Sequence, residues 1–235
     1  MPDHPILIAG GGIGGFAAAL ALGAKGFAVK LIEQAPSFSE VGAGIQLGPN
    51  IMRMFDTLGV TDAINAAAVY PDMLVMRDGL TADPIVEIPL GAAFERHFGR
   101  PYGVIYRPDL HNTLIDAAKA LPSVETVAGL KVLRYVQDGD LVRLHTADGQ
   151  EHLGSGLIGA DGLWSAVRWQ LIGDGEPRVA GHIAYRAVLP IDKIPSHIAE
   201  RRVTLWAGPK THLVTYPLRR GEIFNIVAVF HSDQF

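Results

Sequence analysis

The sequence predicts an α/β protein in which a discontinuous α/β domain, residues 1–72 and 98–178, is interleaved with parts of a β-rich domain, residues 73–97 and 179–235. Three observations predict it. A short apolar strand runs into a glycine cluster, an Ala/Leu-rich helix and a second apolar strand, which together make one βαβ unit. A second strand–turn–helix passage stands at 157–171, where Leu157-Ile158 meets Gly159-Ala160-Asp161-Gly162. From about Val179 onward the pattern is almost wholly β, with Pro and Gly at the turns.

Each element has a local reason. Pro5 to Ala9 is fully apolar and short, as a buried strand is. Phe16 to Lys25 is rich in good helix formers, and Gly26 stands where a helix C-terminal glycine belongs. Phe27 to Ile32 reads as the second buried strand, ending at Glu33. Pro49 to Leu58 reads as a helix: Pro49 suits the first turn, Ile51, Met54, Phe55 and Leu58 have helical spacing, and Gly59 ends it. Met73–Met76 and Ile85–Ile88 make a hairpin excursion around Asp78-Gly79 and Pro84. A helix is expected over Arg107–Leu121, then short strands through 124–158 with turns at Asp138-Gly139 and Asp148-Gly149. A further helix is expected over Leu163–Leu171. The C-terminal strands are Ile183–Leu189, Arg202–Trp206, His212–Tyr216 and Ile223–Phe230. The last is expected to be an edge without its proper neighbours, an aggregation liability.

Composition narrows the function. A net charge of −4, with Arg201-Arg202 and Arg219-Arg220 as the only adjacent basic pairs, offers no concentrated positive field for nucleic acid. The chain has no Cys, which rules out disulfides, thiolate metal sites and thiol catalysis and fits a reducing compartment. The apolar stretch Ile6–Ile32 is interrupted by glycines, Lys25 and Lys30, so it is no membrane span, and no basic segment precedes it as in a secretory signal. The expected location is the cytoplasm, with no membrane partner and no metal.

Gly10-Gly-Gly12-Ile-Gly14-Gly15 matches G-x-G-x-x-G, with Glu33 eighteen residues after Gly15 at the tip of the second strand. Such glycines allow a tight turn, close approach of backbone to a pyrophosphate, and close helix–strand packing. The helix N-terminus then offers free N–H groups to phosphates. A carboxylate in the position of Glu33 accepts hydrogen bonds from a ribose diol. The adenosine of FAD or of NAD fits equally well, and the motif does not choose between them.

Four further segments carry a resemblance: Val41-Gly-Ala-Gly-Ile-Gln-Leu-Gly-Pro-Asn50, Tyr106-Arg-Pro-Asp-Leu-His111, Gly159-Ala-Asp-Gly-Leu-Trp-Ser-Ala-Val-Arg168, and Trp206-Ala-Gly-Pro-Lys-Thr-His-Leu-Val-Thr-Tyr-Pro217. In order and separation they resemble the single-component FAD-dependent aromatic-ring monooxygenases, the hydroxybenzoate and salicylate hydroxylase-like family. The resemblance implies a Rossmann-type FAD-binding domain of the para-hydroxybenzoate hydroxylase-like kind, with an interleaved β-rich substrate domain. It implies that Gly10, Gly12, Gly14, Gly15, Glu33 and Gln34 bind the cofactor's adenosine diphosphate. Ala43 and Gly44 would lie beside the flavin ring, Arg107 near the ribose and diphosphate, and Asp161 at the diphosphate-ribitol region. Gln46 would point toward the substrate. The family continues beyond the equivalent of Phe235 with a Gly-Asp motif and a helical region, so the chain is expected to be a truncated member.

In a strand over 212–216, His212, Val214 and Tyr216 share one face, with the Cα atoms of His212 and Tyr216 about 13 Å apart. The resemblance implies that this strand lines the substrate cavity. The oxidant in such chemistry is an electrophile, and a phenol or hydroxypyridine becomes a better nucleophile when its hydroxyl loses its proton. Imidazole is the side chain suited to take that proton near neutrality, and a tyrosine hydroxyl can orient the ring. Taken alone, the residues fit a Tyr packed in the sheet with its hydroxyl at the rim and a solvent-facing His better than they fit a substrate role. With the resemblance, His212 and Tyr216 are the expected catalytic pair, and Arg186 is a candidate partner for a substrate carboxylate. The expected activity is hydroxylation of a hydroxybenzoate- or salicylate-type acid with FAD, NADH or NADPH, and O2, with a homodimer as a candidate assembly. The alternatives are an NAD-dependent dehydrogenase built on the same βαβ unit and a non-catalytic FAD-binding fragment.

Overall fold

A computed structural model describes residues 4–232. In chain order its elements are β1 (Ile6–Ala9), α1 (Ile13–Gly23), β2 (Val29–Ile32), β3 (Gly44–Leu47), α2 (Pro49–Leu58), α3 (Thr61–Ala67), β4 (Met73–Asp78), β5 (Pro84–Pro89), α4 (Ala92–Phe98), β6 (Gly103–Tyr106) and α5 (Arg107–Lys119). There follow β7 (Val124–Val127), β8 (Val132–Asp138), β9 (Leu141–Thr146), β10 (Glu151–Gly154), β11 (Gly156–Gly159), α6 (Ala166–Ile172), β12 (His182–Pro190), β13 (Arg202–Gly208), β14 (Thr211–Leu218) and β15 (Ile223–His231). No helix among the described residues is long and apolar enough to cross a membrane.

The chain divides into two units, Met1–Glu40 with His111–Arg178, and Val41–Leu110 with Val179–Phe235. These boundaries differ from those read off the sequence, which kept residues 41–72 and 98–110 in the α/β domain. The reason is hydrogen bonding. Strand β3 pairs antiparallel with β6, and the Gly44 N–H donates to the side chain of Asn225 in β15. Both segments are thereby built into the second unit.

In the first unit a parallel sheet runs in the order β11-β1-β2-β7. Strands buried on both faces need continuous apolar sequence, and Leu7, Ile8, Leu31 and Ile32 supply it. An antiparallel sheet, β10-β9-β8, packs Val142 and Leu144 against Leu7 and Ile32. Helix α6 starts at Ala166, later than the sequence suggests. The Ser165 hydroxyl accepts the Arg168 N–H at 2.9 Å and caps it there, while Gly173 ends it in the left-handed region.

The second unit holds a six-stranded sheet in the order β12-β15-β14-β13-β4-β5 and the β3–β6 pair. Strand β15 is therefore interior, and the expected edge is a misreading. It pairs along its length with β14 on one side and β12 on the other, and only the exposed β12 and β5 are outermost. Val69, Val104, Val203, Tyr216 and Leu218 form this unit's core. Helix α2 matches the expected span, because Pro49 starts it and Gly59 closes it at φ 71°. At the start of α5, Arg219 grips Asp109 with two hydrogen bonds of 2.8 and 2.7 Å, and its guanidinium stands 4.7 Å over the Tyr106 ring.

Candidate functional site

The first unit carries a cleft of about 240 Å³ beside the glycine turn. It gathers Gly10, Gly12, Glu33, Gln34 and Asp161 from three separate segments. Sequence reasoning missed the far wall, Leu130-Lys131-Val132, and the Ala160 and Trp164 lining. Leu130 to Val132 come from the region of short strands between 124 and 158, which carries no motif of its own, while Ala160 and Trp164 flank Asp161 inside the Gly159–Arg168 segment.

The glycines divide by role. A Cβ on Gly15 would lie 1.9 Å from the Gly10 carbonyl oxygen, so Gly15 is what lets α1 pack onto the turn rather than a ligand contact. At Gly12 the nearest atom to such a Cβ is Glu40 Oε1 at 3.9 Å, and at Gly14 nothing lies within 4 Å. The space at Gly12 is thus open backbone surface. Phe16 N–H makes the first helical bond, to Gly12 O at 3.0 Å, so the N–H groups of Ile13, Gly14 and Gly15 precede the helical ladder and suit a diphosphate.

Glu33 is held in place by two backbone donors, Gly11 N–H to Oε2 at 2.6 Å and Ala35 N–H to Oε1 at 2.7 Å. Each carboxylate oxygen has a second lone pair, so the oriented acid can still accept from a sugar diol. Asp161 is more structural than the resemblance implies. Its Oδ1 accepts the Ser165 hydroxyl at 2.5 Å and its Oδ2 accepts the Val167 N–H at 3.2 Å, which ties the Asp-Gly turn to α6. Arg168 also serves the local structure, bonding Leu163 O at 2.9 Å and pairing with Asp174. His111 Nε2 lies 2.8 Å from Gly11 O and braces the same turn. The open approach at Gly12, the free helix-end N–H groups and the fixed acid are what an adenosine diphosphate group needs, so these residues fit FAD.

The second unit holds the other half of the expected set. The register puts His212, Val214 and Tyr216 of β14 opposite Val229, Val227 and Asn225 of β15, and puts Arg186 of β12 opposite Val227. Directly opposed residues share a face, so Arg186, His212, Tyr216 and Asn225 all project from the same side of the sheet. His212 and Arg186 are exposed, while Tyr216 is buried, with 3% of its surface accessible. Burial chiefly, with Tyr102 nearby adding to it and Arg186 opposing it, pushes the Tyr216 phenol up to about 12. Tyr216 is therefore a neutral hydrogen-bonding group at ordinary pH.

Strand β3 comes to the same residues. A Cβ on Gly44 would sit 2.4 Å from Cε2 and 2.5 Å from the hydroxyl oxygen of Tyr216, so only glycine lets the backbone lie on that ring. Gln46 is exposed, and its Oε1 accepts the hydroxyl of Tyr102, whose phenol burial pushes up to about 12. Ala43 is buried, and its carbonyl accepts the Arg107 N–H at 2.8 Å. Tyr102 and Asn225 were not foreseen. Asn225 left a signal, being the one polar residue in the apolar run Ile223–Phe230. Tyr102 left none. Among the described residues no group of three or more His, Asp or Glu side chains could hold a metal ion.

Comparison with known proteins gives the family and its cofactor. A family model described as FAD binding domain matches residues 3–230. The chain is 47% identical over 232 residues, 99% of its length, to a 3-hydroxybenzoate 6-hydroxylase of Polaromonas naphthalenivorans (strain CJ2), of which it covers 58%. It is 36% identical over 226 residues, 95% of its length, to a 6-hydroxynicotinate 3-monooxygenase of Bordetella bronchiseptica, again covering 58%. Among solved structures, Klebsiella pneumoniae HpxO complexed with FAD and uric acid superposes with a TM-score of 0.87 at 25% identity, over 100% of this chain and 58% of that one. The chain thus spans under two thirds of the length of these relatives.

Proposed function

This chain belongs to the FAD binding domain family, and from that premise we propose that it serves a flavoprotein monooxygenase. The substrate is a hydroxylated aromatic acid of the hydroxybenzoate or salicylate type, NADH or NADPH is the electron donor, and O2 is the oxidant. One O2 and one nicotinamide hydride, with a proton, convert a ring C–H to C–OH and release water and oxidised nicotinamide. A cytoplasmic location, where reduced nicotinamide is supplied, belongs to the same reading.

The observation that carries this reading is the gathering of Gly10, Gly12, Glu33 and Gln34 about one cleft behind a helix N-terminus. Bound FAD would supply two-electron exchange with the nicotinamide and the activation of O2. The chain's own residues do the rest. The N–H groups following Gly12 receive the diphosphate, Glu33 accepts from the adenosine ribose, and Asp161 keeps the Asp-Gly turn in place beside the cleft. His212 takes the substrate phenol's proton, which raises electron density on the ring, and Tyr216 donates a hydrogen bond that orients it. Arg186, exposed on the same sheet face, attracts the substrate carboxylate.

The names of the relatives support an aromatic hydroxy acid or its heteroaromatic counterpart as the substrate class. The test is to extract the bound cofactor and then screen hydroxybenzoates for stimulated NAD(P)H oxidation with product analysis. A flavin chromophore and a hydroxylated product are expected. Colourless protein protected by NAD would overturn the reading in favour of a dehydrogenase. Flavin without turnover would leave a cofactor-binding protein and sink the monooxygenase assignment.

A further inference from the structure

Asn225 is fully buried, and the two ends of its carboxamide are treated unequally. Its Oδ1 accepts the Gly44 N–H at 2.8 Å, while its Nδ2 has no hydrogen-bond partner. A buried donor left unpaired is costly, and an apolar residue of similar size would only exchange that cost for an unpaired Gly44 N–H, so Asn225 has no clear advantage in stability over it. What Asn225 supplies in return is a fixed position for one backbone amide. That amide belongs to the glycine on whose bare Cα the Tyr216 ring rests. Asn225 and Tyr216 are also direct cross-strand neighbours in β15 and β14.

We propose that Asn225 is the positioning residue of the aromatic site: by holding Gly44 it presses β3 against the Tyr216 ring and fixes where the Tyr216 hydroxyl points. The inference rests on the proposed function for its ligand, a hydroxybenzoate-class acid, and acts through Gly44 rather than by touching substrate. With the clamp released, β3 is free to move off the ring, water gains access to the phenol, and the hydroxyl loses its single direction.

Two variants separate this role from a structural one. Asn225→Asp keeps an oxygen acceptor for the Gly44 N–H but places a carboxyl group in an apolar strand. Asn225→Leu fills the volume and removes both the acceptor and the unpaired donor. The measurements are the thermal midpoint, amide hydrogen exchange at Gly44, the ultraviolet titration of Tyr216, and the dissociation constant for 3-hydroxybenzoate on flavin-loaded protein.

The positioning role predicts opposite orders for stability and binding. Asn225→Leu should match the wild type in thermal midpoint, exchange the Gly44 amide faster, titrate Tyr216 at lower pH, and bind 3-hydroxybenzoate about tenfold more weakly. Asn225→Asp should be the less stable protein but bind within a few-fold of wild type. If Leu is tolerated better than Asp in binding as well as in stability, or if Gly44 exchange is unchanged in Asn225→Leu, the proposal is overturned. Wild-type protein that takes up flavin but not the acid would remove the substrate reading and this inference together. Binding that is equal in wild type and Asn225→Leu would remove the inference alone.

Discussion

Tyr216 and Tyr102 hold their phenols in surroundings that disfavour the phenolate, and burial is the leading cause for both, pushing each to about 12. The sign of the consequence follows from linkage. A raised folded value means the native state binds the proton more tightly than the unfolded chain. The stabilisation is therefore complete below the ordinary tyrosine value of about 10 and is lost as pH rises through about 12. For Tyr216, the more deeply buried of the two, the shift corresponds to roughly 3 kcal/mol. We expect the thermal midpoint to fall more steeply over this alkaline window in the wild type than in Tyr216→Phe, measured by calorimetry against pH. Equal slopes would show that the phenol is hydrated in the native state. His212 makes a contrasting prediction, because it is exposed on β14. His212→Ala should change stability by less than about 0.5 kcal/mol and leave flavin retention intact. It should slow hydroxylation by about 100-fold or more, as expected for loss of a general base. An unaffected rate, read by product formation, would take His212 out of the mechanism.

At the scale of elements, the cap of α6 joins structure to site. The Ser165 hydroxyl accepts from Arg168 N–H and donates to Asp161 Oδ1, so one side chain ends the Asp-Gly turn and starts the helix. Ser165→Ala should cost about 1 kcal/mol by urea denaturation. It should also weaken flavin binding, because Asp161 lines the cleft. A stability loss with unchanged flavin affinity would mean that the turn holds its shape without the cap. The elements legible in sequence were those with local punctuation. Pro49 and Gly59 bound α2, and the glycine cluster with its flanking apolar runs gave β1, α1 and β2. Strands β3 and β6 were unreadable, since each is four residues long and their identity lies in pairing with each other. Strand β15 was readable as a strand but not as an interior one, because its neighbours are fixed by long-range pairing with β12 and β14.

For the molecule as a whole, the same contrast decides how much of the site was legible. Gly10, Gly12 and Glu33 could be found because a glycine turn and an acid at the next strand tip act within one βαβ unit. Lys131, Tyr102 and Asn225 could not be assigned roles, since each meets the site residues only after distant strands come together. The unit boundaries were misplaced for a related reason. Residues 41–72 and 98–110 read as α/β in sequence, yet β3 pairs with β6 and its Gly44 N–H donates to Asn225 of the second unit. A net charge of −4 also means that an anionic cofactor must be held by local donors rather than by an overall positive field. The central claim, that the amides after β1 receive the diphosphate of FAD, is therefore tested most directly by titrating the wild type and Gly12→Leu with FAD and following flavin fluorescence. The wild type should bind FAD saturably and one to one, unaffected by excess NAD, and the variant, whose added side chain occupies the open approach, should not bind it. Equal flavin affinity in the two proteins would contradict it.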